Sequence, residues 1–132
     1  MKTYIKPLIF VCVLILIACE SNNQSTNFKG KWVENVERKD TLLFENSDSI
    51  GFFILSNGFE FRNGYWLPRA GSGLYSYKFK EDSILVNPAV SDAIIFTHYY
   101  FHLNSTFDVL QVGNFYNSSL PASTKMTFVR IN

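Results

Sequence analysis

The feature that most constrains the fold is a two-residue alternation of aromatic and polar side chains after the first 27 residues. The segment FEFR places Phe59 and Phe61 on one face and two charged residues on the other. The segment LYSYKFK does the same with Tyr75, Tyr77 and Phe79. Successive side chains of a strand point to opposite faces, so this pattern indicates strands with one buried face. Because no long stretch shows a helical stripe, the sequence predicts an all-β domain.

Turn chemistry divides this domain into short strands. The Asn-Gly pairs of SNG (56–58) and RNG (62–64) favour tight hairpins, and KEDS (80–83) predicts another. The stretches 66–73 and 116–123 are rich in Gly, Pro or Ser and indicate loops, the first of which is placed to cover one end of a barrel. The predicted strands are 31–36, 40–44, 49–55, 59–62, 74–80, 83–86, 94–104, 107–112 and 124–131.

A meander of eight or nine short strands must hide its edges, and closure into a barrel does so. We therefore predict a small up-and-down antiparallel β-barrel of about eight strands over residues 28–132. A barrel of this size either fills its interior with side chains or holds one small ligand. Since 17% of the chain is aromatic, a filled interior is at least as well supported as a cavity.

Two motifs at the ends of this domain resemble the lipocalin superfamily. FKGKWV is similar to the G-x-W motif, with Gly30 and Trp32 in the matching positions. Arg130, in MTFVRIN, stands where that family has an Arg that packs over the Trp. The resemblance implies a calycin-type barrel closed at one end by these three residues, as in the small lipocalin-like domains of bacterial lipoproteins.

The first 18 residues are typical of an export signal. Lys2 and Lys6 form a basic start, and residues 8–18 carry no polar side chain. This run is too short to span a bilayer, which takes about 20 apolar residues. It ends in LIAC, which resembles the lipobox of bacterial lipoproteins. The resemblance implies cleavage after residue 18 and attachment of diacylglycerol and acyl chains such as palmitate to Cys19. The alternative is a buried helix with two incidental cysteines.

Removal of the signal leaves ten of the 12 basic residues against 11 acidic ones, so no strong basic field draws nucleic acid. The polar residues 19–27 are typical of a flexible tether. We expect an exported protein that is anchored to the bacterial cell envelope through lipid on Cys19. The outer membrane is the favoured location, and its periplasmic and surface faces both stay open, as does the oligomeric state.

No spacing of polar residues selects a catalytic centre, and we expect neither an enzyme nor a cofactor. His98 and His102 would lie about 13 Å apart along one face of a strand, which is too far for a single metal ion. The sequence contains no Gly-rich phosphate loop and no G-x-S-x-G elbow.

Three Asp-Ser/Thr-apolar stretches resemble the O-glycosylation sites of some Gram-negative envelopes. Modification would fall on Thr41, Ser49 and Ser83. The interpretation that we favour is that these residues end turns just before strands.

Two functions remain open. The first is a binding module for a small apolar or amphipathic ligand, with loop 66–73 as its lid. In this function Arg69 is the cation that meets an anionic head group. The second is a non-enzymatic interaction protein with a filled barrel that docks another envelope component. A cavity lined by the aromatic candidates would favour the first, and a filled core with an exposed Trp66 would favour the second. The candidate ligand contacts are Phe52, Phe59, Trp66, Arg69, Tyr77 and Phe79.

Overall fold

The computed structural model describes residues 28–131, which form ten β-strands and include no helix. Eight strands close a barrel in the order β1-β10-β9-β8-β7-β6-β3-β2, and β4 and β5 form a separate hairpin. All neighbouring pairs are antiparallel. The predicted all-β barrel is therefore confirmed. The strands are β1 (Gly30–Glu34), β2 (Thr41–Phe44), β3 (Ile50–Ser56), β4 (Phe59–Arg62), β5 (Tyr65–Pro68), β6 (Gly73–Lys80), β7 (Ser83–Pro88), β8 (Thr97–Leu103), β9 (Val109–Gly113) and β10 (Lys125–Ile131).

The alternation along the strands decides which side chains fill the barrel. Tyr75 and Tyr77 on β6, predicted to point inward, are 7% and 0% exposed, and this prediction is confirmed. All eight barrel strands contribute to the core, together with one residue that precedes β1. The buried core consists of Phe28, Trp32, Leu42, Phe44, Phe53, Leu55, Tyr75, Tyr77, Ile84, Val86, Phe101, Leu110, Val112 and Phe128.

Aromatic rings contact one another across the interior. Phe53 on β3 stacks on Tyr75 of β6, with ring centroids 5.4 Å apart and planes 7° apart. Such aromatic pairs contribute about 0.5–1.5 kcal/mol each beyond the area they bury. The barrel is therefore filled by its own side chains. The rings around Phe28 have centroids 4.8–6.2 Å away and belong to Phe44, Tyr77, Phe79 and Phe101.

The two ends of the barrel differ in the length of their connections. At one end, the short-turn end, the chain arrives through Phe28 and the turns are residues 45–49, 81–82 and 104–108. The opposite end, the loop end, carries residues 35–40, 57–72, 89–96 and 114–124. The hairpin β4–β5 belongs to the loop end, because it lies between the end of β3 and the start of β6.

Local turn signals predict two hairpins correctly and one wrongly. Asn63 and Gly64, with φ of 55° and 84°, connect β4 to β5, and β6 turns into β7 through residues 81–82, so RNG and KEDS are confirmed. The hairpin predicted at SNG is wrong, because β3 pairs with β6 instead of β4. At this position the Asn57 backbone N–H donates to Ser72 Oγ at 3.0 Å and connects the two segments that lead into and out of the hairpin β4–β5. The long-range pairing overrides the local Asn-Gly signal.

Two predicted boundaries are also corrected. The predicted strand 94–104 begins only at Thr97, because Phe96 leaves the strand ladder and its ring lies 4.4 Å from Lys78 Nζ. Part of the predicted loop 66–73 is strand β5, where Trp66 pairs with Phe61 and Pro68 ends the strand. Proline is tolerated there because the hairpin has only two strands and its outer edges are unpaired.

Candidate functional site

The residues that resemble the lipocalin motif meet toward the short-turn end. Trp32 on β1 pairs in register with Arg130 on β10, and the guanidinium carbon lies 4.6 Å from the indole centroid. Trp32 is fully buried, and its Nε1–H donates to the Phe28 carbonyl at 2.7 Å. Gly30 has a φ of 125°, a conformation that favours glycine. The first and last strands of the barrel are thus joined around a buried indole.

The six candidate ligand contacts do not line one cavity. Tyr77 is in the core, where its hydroxyl lies 3.0 Å from two acceptors, Asn46 Oδ1 and the Asp48 carbonyl, and shares its one proton between them. Phe52 and Phe59 lie outside the barrel and are 56% and 59% exposed. The aromatic candidates therefore do not share one interior cavity, which was one of the two alternatives. Phe52 points outward because its neighbour in the chain is a core residue, and consecutive side chains in a strand face opposite ways.

The hairpin β4–β5 presents one aromatic face to solvent. Pairing of Phe59 with Pro68 and of Phe61 with Trp66 puts these four residues on the same side, here called the aromatic hairpin face. The rings of Phe61 and Trp66 meet edge to face at 5.6 Å, yet their residues are 64% and 70% exposed. On the other side of the hairpin, Arg62 Nη1 lies 3.5 Å from Glu60 Oε1.

The outside of the barrel carries a second apolar surface on the strands that lead into and out of the hairpin. Leu43, Ile54 and Leu74 are directly opposite one another on β2, β3 and β6. Ile50 and Phe52 continue the row along β3 toward the short-turn end. These five residues, the apolar strip, are 36–62% exposed.

A polar cleft of about 380 Å³ opens at the loop end between the β1–β2 turn, the start of β10 and the base of the hairpin. Arg69, the predicted head-group contact, lines this cleft together with Lys125, Glu34 and Asp40. The buried Glu34 carboxylate accepts the backbone N–H groups of residues 36 and 37 at 2.8 and 2.7 Å. This carboxylate is therefore occupied in holding the turn.

Tyr116 anchors the wall of the cleft that the β9–β10 loop provides. Its hydroxyl donates to Asp40 Oδ2 at 2.7 Å. Burial, and then the hydrogen bond to this carboxylate, raise the pKa of Tyr116. The hydroxyl consequently stays protonated and donates to Asp40, a residue of the cleft lining.

The described residues show no arrangement for metal chemistry. Within 28–131, no three His, Cys, Asp or Glu side chains are grouped to hold an ion. His98 and His102 are exposed on the outer side of β8. The same range contains no helix that is long and apolar enough to cross a membrane.

The three candidate glycosylation residues lie in or beside strands. Thr41 and Ser83 are the partly buried first residues of β2 and β7, and Ser49 is exposed directly before β3. Ser83 Oγ donates to the Lys80 carbonyl at 2.7 Å, which is a turn contact.

Comparisons with protein-family models, curated proteins and solved structures found no match to this chain. The barrel is compatible with a lipocalin-like fold, and the functional argument therefore depends on the chain's own residues.

Sequence reasoning missed the apolar strip and the Asp40–Tyr116 contact. A signal for the strip exists in IGFFIL, residues 50–55, because a run that is apolar at successive positions must put apolar side chains on both faces of its strand. The Asp40–Tyr116 contact joins residues 76 positions apart and has no local signal.

Proposed function

We propose that this chain is a lipid-anchored protein of the bacterial envelope that acts through the outside of a filled barrel and does not catalyse a reaction. The observation that carries the proposal is the contrast between a core occupied by contacting rings and a Trp66 that is 70% exposed. Exposed aromatic side chains are typical anchors of interaction surfaces. A carrier, in comparison, needs interior space for its ligand.

The anchor part of the proposal is based on the sequence. The signal at 1–18, Cys19 and the tether 19–27 lie outside the described residues. The basic start, the short apolar run and LIAC agree with one another and support export and lipid attachment. Lipidation by two or more chains holds a protein stably at a bilayer, whereas one chain does so only marginally.

Replacement of the proposed lipidation residue tests the anchor. Wild type expressed in a Gram-negative host should partition into the detergent phase as a band shortened by 18 residues, while Cys19→Ser should accumulate as an uncut precursor without lipid. Cys12→Ser, a cysteine inside the signal, is the matched control and should be processed like wild type. Identical size and partitioning of wild type and Cys19→Ser would eliminate the lipid anchor.

A second candidate function is supported by the polar cleft. Arg69 and Lys125 at its lining are suited to the carboxylate or phosphate head group of a small amphiphile. Fatty acids titrated against unlipidated protein and followed by Trp66 fluorescence should then bind saturably at micromolar concentration. Arg69→Ala should weaken binding about tenfold, as expected for loss of a charge-assisted hydrogen bond. Lys31→Ala, on the outside of β1, should not. An absence of saturable binding to the folded protein would dismiss the carrier function.

A further inference from the structure

We propose that the apolar strip and the aromatic hairpin face contact the lipid bilayer, so that the barrel lies on its side at the membrane surface. This inference rests on the proposed anchor at Cys19 and adds the orientation of the domain and the partner of its exposed surface.

The first argument is the asymmetry of the barrel exterior. In the closed strand order, β3 lies across the barrel from β9. The strip occupies β3 and its two neighbours. The outward positions of β8, β9 and β10 combine polar residues, of which His98, His102 and Lys125 are exposed, with the partly buried Tyr100, Val109 and Val129. One side of the barrel therefore exposes a row of apolar side chains, and the opposite side is mixed and exposes mainly polar ones.

The second argument is continuity. Directly opposite residues on paired strands bring their Cβ atoms to about 4.5–5.5 Å, so Leu43, Ile54 and Leu74 form an unbroken row. Ile50 extends the surface toward the short-turn end. At the other end, β3 and β6 lead directly into the hairpin that carries Trp66. A contiguous exposed apolar surface of this kind marks an interaction site on a water-exposed domain.

The third argument is the position of the tether, which favours a bilayer over a protein partner. Residues 19–27 span at most about 30 Å when fully extended. They join the described chain at Phe28, which lies at the short-turn end where the strip begins. A lipid on Cys19 thus keeps the strip within reach of the bilayer continuously, and a second contact strengthens the attachment of a lipidated protein.

The chemistry of the surface fits the interfacial region of a bilayer. Trp is enriched at membrane interfaces, and Trp66 on the aromatic hairpin face is 70% exposed. Lys31 flanks the strip opposite Leu43, where its ammonium group can reach lipid head groups.

Quenching by brominated lipid tests the contact on the full lipidated chain. The protein is reconstituted into phosphatidylcholine vesicles with brominated or unbrominated acyl chains. The chain has two tryptophans. Trp32 is fully buried and serves as an internal reference. We expect brominated lipid to reduce the Trp66 contribution at least twofold, and Trp66→Phe to abolish the difference between the two vesicles.

Matched surface variants test which side of the barrel is in contact. The double variant Phe52→Ser/Ile54→Ser should reduce the quenching of Trp66 by half or more. Gln111→Ser alters an outward residue of β9, the strand across the barrel from β3, and should leave the quenching unchanged.

The outcomes separate the two proposals. Protein that co-sediments with vesicles but shows no quenching at Trp66 overturns the bilayer contact, leaves the lipid anchor in place and assigns the exposed surface to a protein partner. Protein that does not co-sediment overturns the anchor and the bilayer contact together. Equal quenching in the strip and Gln111 variants overturns the proposed orientation.

Discussion

The aromatic core of the barrel and the aromatic hairpin face use the same residue types in the same alternation, yet one is buried and the other is exposed. In the core, the stacked pair of Phe53 and Tyr75 is enclosed by eight strands. In the hairpin, Phe61 and Trp66 pair across two strands, and their residues remain 64% and 70% exposed. Alternation therefore specifies a face, and the number of strands around that face decides whether it becomes an interior.

The difference has an energetic consequence. An isolated two-stranded hairpin is marginally stable in water, so this one depends on its attachment to the barrel. The Arg69 backbone N–H donates to the Gly58 carbonyl at 3.0 Å and closes the base of the hairpin. We expect the barrel aromatics to determine the free energy of unfolding and the hairpin aromatics to contribute little to it.

The two tryptophans give the largest expected contrast. Trp32→Ala should lower the free energy of unfolding by about 3–5 kcal/mol, because it removes a fully buried indole and leaves a cavity. Trp66→Ala should change it by less than about 0.5 kcal/mol, as for other exposed sites. Urea unfolding followed by circular dichroism measures both, and equal effects would refute the contrast between core and hairpin.

Two arginines sharpen the comparison. Arg130→Ala should cost about 0.5–2 kcal/mol through loss of the cation–π contact with Trp32, and a double-mutant cycle should show coupling of that size. Arg62→Ala, which breaks the exposed ion pair with Glu60, should cost less than about 1 kcal/mol. Absence of coupling between Trp32 and Arg130 would show that the two side chains are close but do not stabilise the fold through their contact.

Two tyrosines extend the contrast to hydrogen bonding. Tyr77→Phe should cost about 1 kcal/mol, because the Asn46 side chain and the Asp48 carbonyl lose their donor. Tyr65→Phe, on the hairpin, should leave the free energy of unfolding unchanged at pH 8. Unfolding midpoints in urea compare the two variants directly, and a neutral Tyr77→Phe would show that water replaces the lost donor.

Alkaline pH gives a further test at the same residue. Burial, with the nearby Asp48, raises the pKa of Tyr77 to about 12, above its ordinary value of 10. The folded state therefore holds this proton more tightly than the unfolded state, and the stabilisation is complete below pH 10 and is lost as pH rises toward 12. Unfolding free energy measured from pH 8 to pH 12 should fall less steeply in Tyr77→Phe than in wild type, and parallel curves would contradict the shifted pKa.

Phe61→Ala is also expected to have a small effect. The Phe61 ring contacts Trp66, but no barrel strand encloses it. The free energy of unfolding should therefore change by less than about 0.5 kcal/mol. Phe53→Ala, the corresponding change in the core, should cost about 3–5 kcal/mol. Thermal and urea unfolding should both show that Phe53→Ala is the less stable variant. A large loss of unfolding free energy in Phe61→Ala would mean that the hairpin supports the barrel.

Much of the fold was accessible from the sequence because its causes are local. The alternation in LYSYKFK predicts the inward Tyr75 and Tyr77, and Asn63-Gly64 predicts the β4–β5 turn. The pairing of β3 with β6 was not accessible, because it joins strands separated by residues 57–72 and competes with a turn signal at SNG. Once β3 pairs with β6, the hairpin must leave the barrel.

The candidate site was predictable only in part. Arg69 lines a polar cleft at the loop end, whereas the sequence analysis placed it at the mouth of an aromatic cavity. The aromatic candidates are divided between the core and the surface. This division could not be predicted, because an apolar run such as FFI does not indicate which face of its strand is enclosed. Phe52 and Phe53 differ by one position and end on opposite sides of the barrel wall.

The pairing of β1 with β10 also constrains the order in which the chain can fold. These strands lie at opposite ends of the described sequence and match Lys31 with Ile131. During synthesis, β1 therefore has an unpaired edge until the last strand emerges. Such non-local pairing slows folding and leaves exposed strand edges available for aggregation. A chain truncated before β10 would keep two open edges, on β1 and β9, and should be removed by proteolysis or form aggregates.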